Sequence, residues 1–145
     1  MNLKSYLEIA VSNTDDVDLI FDIKGSNTVF SGEIWDYGDP EPLERFTNSL
    51  IDFPKNEKML IFELGHKDSH LSYFSMKLYP ADSLSHIGVQ ITMATDTHYR
   101  PENQCKVQFE IIVGPHAVDE FRKALLQILR KRSGSAVLYG NDNRI

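Results

Sequence analysis

The chain has 145 residues, 41% hydrophobic and 25% charged, which is the composition of one ordinary globular domain and excludes disordered and low-complexity classes. At this length a chain buries roughly 68–70% of its unfolded surface, enough for a core without disulfides or metal staples. The formal net charge of −6 argues against a general nucleic-acid binder and toward a basic partner.

The single cysteine, Cys105, can form neither an internal disulfide nor a Cys-rich zinc site, which fits a reducing compartment. The N-terminus MNLKSYLEIAVSNTDD lacks the apolar core of a signal peptide. The apolar run Met59–Phe62 falls far short of the about 20 residues a membrane helix needs. A cytoplasmic protein is expected, with a single domain over residues 1–133 and a C-terminal tail over 134–145.

Alternating apolar and polar residues open the chain. Leu7, Ile9 and Val11 form one strand pattern and Val17, Leu19, Phe21 and Ile23 the next, joined by turn residues at 13–16. After Gly25-Ser26-Asn27 a third strand runs from Thr28 to Trp35. The period then changes: Leu43, Phe46, Leu50 and Phe53 recur at helical spacing, with Asp39 as N-cap, Pro40 at the first helical position and Pro54 as the stop.

Four further strands are expected. Lys58–Leu64 reads as a central strand covered on both sides. Leu71–Tyr79 turns Phe74, Met76 and Leu78 one way and Tyr73, Ser75, Lys77 and Tyr79 the other. Ile87–Met93 and Val107–Val113 alternate in the same manner. A second helix opens at Gly114-Pro115, carries Val118, Phe121, Leu125, Ile128 and Leu129 on one stripe, and stops near Gly134, read as its C′ residue. The tail after it reads as a short strand or a frayed end. The expected fold is α+β, in the order βββαββββα: an antiparallel sheet of about seven strands with two helices packed on one face.

Few constellations carry chemistry. His66 and His70 stand four apart, but across a loop and a strand start, where that spacing does not build a metal site. Cys105 has no oriented base beside it in sequence and reads as a small, partly buried apolar residue. No GxSxG elbow and no phosphate-binding glycine loop is present. Neither a cofactor nor a metal is expected. His86, His98, Cys105 and Glu110 are the late-chain residues that an enzyme would have to gather in a pocket.

The charge distribution is more informative. Residues 1–52 hold eleven acids and three bases, a net −8, whereas residues 53–145 hold ten acids and twelve bases, a net +2. Asp18, Asp22 and Glu33 fall on polar faces of the early strands, with Asp15 and Asp16 in their turn. Asp36, Asp39, Glu41 and Glu44 surround the first helix start, and Trp35 and Tyr37 are interleaved with them. Acids that steer encounter, with aromatics that anchor, are what a surface for a basic protein uses. The competing reading gives Asp39 and Glu41 capping and dipole duties and puts Trp35 in the core.

Three segments carry a resemblance: FSGEIWDYGDPEPLERFTNSLIDFP at Phe30–Pro54, LSYFSMKLYPADSLSHIGVQITM at Leu71–Met93, and FRKALLQIL at Phe121–Leu129. In this layout the chain resembles the WapI-type and contact-dependent-inhibition immunity proteins of bacterial polymorphic toxin systems. The resemblance implies a non-enzymatic cytoplasmic antidote, and a monomer or weak homodimer is expected. It would bind and block a cognate toxin domain, often a nuclease with a basic cleft, and engage neither nucleic acid nor membrane itself. The alternative is a small-molecule or lipid-binding α+β domain with a pocket between sheet and helices.

Overall fold

The computed structural model describes residues 4–13, 18–66, 72–95 and 100–141. Its elements in chain order are β1 (Tyr6–Asn13), β2 (Leu19–Ser26), β3 (Ser31–Gly38), α1 (Pro40–Ser49), β4 (Leu60–Leu64), β5 (Tyr73–Pro80), β6 (Ile87–Ala94), β7 (Lys106–Val113), α2 (Pro115–Lys131) and β8 (Gly134–Tyr139). The fold is α+β, and all strand pairing is antiparallel.

The strands divide into two sheets of four, ordered β3-β2-β1-β8 and β4-β5-β6-β7. A single layer of eight strands would be about 38 Å wide at the usual strand spacing. Helices of 10 and 17 residues, about 15 and 26 Å long at 1.5 Å per residue, leave much of such a face wet. Splitting the layer lets the sheets bury each other. Phe21 of β2 lies 6.4 Å from Phe62 of β4, ring centre to ring centre. Gly32 of β3 packs so closely on the second sheet that a Cβ there would stand 3.0 Å from Val107 Cγ1 and 3.1 Å from Met93 Sδ.

Register assembles the inner faces in rows. Ile9, Ile23 and Ile34 align across the first sheet, and Phe62, Met76, Ile91 and Phe109 across the second. Leu43, Phe46 and Leu50 from α1, with Val118, Phe121, Leu125 and Ile128 from α2, join the same continuous core.

Asp39 caps α1 as its side chain accepts from the Glu41 amide at 2.9 Å. Three local expectations are corrected and one open alternative is resolved. β4 is an edge strand buried on alternate residues, with Ile61 48% exposed, because only β5 pairs with it. The stretch from Gly134, read as a short strand or a frayed end, is the strand β8, which pairs with β1 and buries Ala136 and Leu138. The left-handed residue ending α2 is Arg132 (φ 58°), not Gly134. Its guanidinium is anchored by donation to Asn13 Oδ1 at 3.1 Å and to the Asp18 carbonyl at 3.4 Å, tying the helix end to the first hairpin. Cys105 is exposed, since it lies one residue before β7, where the alternation has not begun.

Among the described residues, no helix is long and apolar enough to cross a membrane.

Candidate surface on the outer face of the first sheet

Side chains alternate across a strand, so the residues that leave Leu7, Ile9, Phe21, Ile23 and Ile34 inside send their neighbours outward. Asp22 pairs with Trp35 across β2 and β3, Lys24 with Glu33, and Ile20 with Tyr37, all on this outer face. Four predicted residues from two strands, Asp22, Glu33, Trp35 and Tyr37, thus converge on one patch.

Trp35 is 59% exposed and Tyr37 55% exposed, so Trp35 is no part of the core. Their rings meet edge to face, with centroids 5.9 Å apart and planes at 77°. That contact holds two large aromatics in place at the surface, an arrangement suited to anchoring a partner.

Beside them the carboxylates of Asp22 and Glu33 approach each other. Hydrogen bonding to Asp22 raises the Glu33 carboxyl above its ordinary value of 4.5, and burial and the Asp22 charge push the same way. Lys24 opposes this, with its Nζ 3.9 Å from Glu33 Oε2. Asp22 Oδ1 is buried and has no hydrogen-bond partner. The patch therefore holds two crowded carboxyl groups, and a guanidinium or ammonium group docking beside the exposed Glu33 would favour its ionised form.

The remaining predicted residues divide. Asp36 faces the other side of β3, where its Oδ1 accepts from the Tyr37 amide at 2.8 Å. Asp39 is committed to capping, Glu41 stands exposed in the first turn of α1, and Glu44 is exposed farther along it. Asp18 precedes β2, half-buried, its carbonyl held by Arg132. Asp15 and Asp16 lie outside the described residues. Sequence reading missed Tyr6 and Tyr139, cross-strand partners on the same face, with Tyr139 57% exposed. Their signal was parity with Glu8 and Ala10, which needed the register of β8 to be seen.

A separate concavity of about 440 Å³ lies between the end of α1, the β5–β6 loop and the start of α2. Leu50, Phe53, Ile87 and Val118 give it an apolar floor, with Lys55 and His86 at its wall. Asp82 organises the loop: Oδ1 accepts from the Leu84 amide at 2.7 Å and the His86 amide at 3.2 Å, and Oδ2 stands 2.6 Å from His86 Nδ1. Burial pushes the Asp82 carboxyl up, but the His86 ring and these two amides outweigh it and leave it below its usual value of 3.8.

The late-chain polar residues do not gather there. Glu110 accepts from the Tyr79 hydroxyl on the outer face of the second sheet. The Cys105 amide donates to Thr95 Oγ1 at 2.8 Å at the opposite end of β7. His98 and His70 lie outside the described residues, and His66 and His116 are exposed. Among the described residues no group of three or more His, Cys, Asp or Glu side chains is placed to hold a metal ion.

Comparison of the chain with family models, with curated proteins and with solved structures returns no match.

Proposed function

We propose that the protein is a cytoplasmic immunity protein that binds a basic toxin domain, a nuclease by the resemblance drawn above, and neutralises it without catalysis. The carrying observation is the outer face of the first sheet. There Asp22 and Glu33 crowd together with an unmatched acceptor, beside the exposed Trp35 and Tyr37. A nuclease cleft is built to attract a phosphate backbone, and a carboxylate patch offers it the same charge. The aromatics supply the desolvated contact that charge alone lacks.

The test is co-expression with the C-terminal domain of a polypeptide encoded immediately upstream. A stable 1:1 complex, with growth restored to cells making that domain, is the expected result. A toxic domain left unbound and uninhibited contradicts the reading.

The cleft of about 440 Å³ favours a second reading, a small-ligand or lipid-binding domain, since its size and apolar floor suit a small molecule. Mass spectrometry of denatured, freshly purified protein tests it: a stoichiometric small molecule supports that reading and its absence counts against it.

A further inference from the structure

Among the described residues β3 is an edge strand, and its free side has a definite chemistry. The Asn27 amide donates to the Phe30 carbonyl at 3.0 Å, closing the β2–β3 turn as a hydrogen-bonded pair. Pairs alternate along an antiparallel ladder, so the register makes Gly32, Ile34 and Asp36 the residues that bond to β2. Ser31, Glu33, Trp35 and Tyr37 point their N–H and C=O groups away from the sheet. The Tyr37 amide confirms this, since it finds the Asp36 carboxylate and not β2. Natural edge strands are commonly blunted by lysine, proline, a bulge or an inward-pointing charge, and the inward Asp36 here bonds the Tyr37 amide of its own strand. The sequence SGEIWDYG has no lysine or proline, and its pairing with β2 runs unbroken from Ser31 to Gly38. Two clefts of about 360 and 300 Å³ lie along the strand, both touching Glu33, Ile34 and Thr95.

We propose that β3 receives an extended, basic segment of the partner as a fifth strand of the first sheet. The backbone of β3 supplies the hydrogen bonds, and alternate side chains of the guest are read by opposite faces. On the outer face the guest's basic residues meet Glu33, Asp22 and the rings of Trp35 and Tyr37. On the inner face its apolar residues enter the clefts beside Ile34, Met93 and Val107. Charge decides the occupant: a second copy of β3 would bring Glu33 and Asp36 against their own kind, whereas lysine or arginine meets the crowded carboxyl groups of Glu33 and Asp22. The proposal deepens the immunity reading and takes from it the identity of the natural guest, a toxin segment.

The probe is the peptide acetyl-(Lys-Val)₄-amide, about 27 Å long when extended at the usual rise per residue. Amide exchange of the intact chain is followed by NMR with and without it, and with the matched Glu-Val peptide. The expected result is exchange at least tenfold slower at Glu33 and Trp35 with the basic peptide, little change at Gly32 and Ile34, and no effect of the acidic peptide. Glu33→Pro, which removes an outward N–H, should lose at least tenfold more affinity than Glu33→Ala, which removes only the carboxylate.

Binding of the basic peptide with no protection at Glu33 and Trp35 overturns strand addition while leaving an acidic docking face intact. Equal binding of both peptides, or of neither, overturns the basic guest. Protection that grows with protein concentration and without peptide overturns it in favour of a second copy. Failure of the upstream-encoded domain to bind would instead count against the immunity reading, whatever the peptide does.

Discussion

Asp22 and Glu33 are held close by the β2–β3 register, and the sheet keeps them there although their charges repel. The folded protein therefore holds the Glu33 proton to a higher pH than a free carboxylate would. A partner's cation favours the ionised form, so docking a basic group releases that proton. Affinity for a basic partner should accordingly rise as pH increases from 4.5 through the raised Glu33 value, and level off above it. Asp22→Asn removes the largest cause of the shift and should move the rise down toward 4.5. Binding isotherms across pH check both, and a pH-independent affinity in the parent protein would contradict the assignment. Trp35 is set apart from its neighbours by exposure. Trp35→Ala should cost about 1 kcal/mol of stability, the worth of its edge-to-face contact with Tyr37, while weakening partner binding by about 2 kcal/mol or more if the ring is an anchor. A loss of stability comparable to the loss of binding would give the ring a structural duty instead.

At the scale of elements, α1 shows which signals survive translation from sequence to structure. Asp39, Pro40 and the Leu43–Phe46 stripe are local chemistry, and the helix starts where they place it, but it ends at Ser49, before Phe53 and the expected stop at Pro54. Asp39→Ala should cost about 1 kcal/mol through the orphaned Glu41 amide, read from chemical denaturation; no change would mean that water replaces the cap. The strand alternations of β1, β2, β5, β6 and β7 were legible for the same local reason. What was not legible depended on neighbours. Ile61 is apolar and yet exposed, and only the edge position of β4 explains it. Whether the C-terminal stretch would be a strand or a frayed end was left open by the sequence, and pairing with the free side of β1 decides it as β8. Arg132 took the left-handed position because Asn13 and the Asp18 carbonyl hold its side chain, partners over 110 residues away. The candidate patch divides likewise. Glu33 and Trp35 share a parity the sequence displays, whereas Tyr37 lay beyond the expected end of the strand and Asp22 joins them only through the β2–β3 register. Asp36 and Asp39 sit beside them in sequence and are turned away to bond backbone amides.

For the molecule as a whole, the division into two sheets gives the charge asymmetry its meaning. The inner faces and both helices close on one core. The outer face of the first sheet is left to present carboxylates and aromatic rings, and among the described residues no strand pairs with the far side of β3, which lies beside two clefts. The negative excess of the first 52 residues, −8 against +2 for the remainder, is thereby gathered in large part around one face and one helix start. Such a field acts over about a Debye length, so it speeds encounter with a cationic partner most at low ionic strength. The most direct measurement is the association rate with the upstream-encoded domain, compared between the parent protein and the double variant Asp22→Lys, Glu33→Lys at low and at physiological salt. A rate reduced at least tenfold at low salt, with the gap narrowing as salt is added and affinity lost in parallel, is the expected result. An unchanged rate and affinity in the double variant would contradict the assignment of this face.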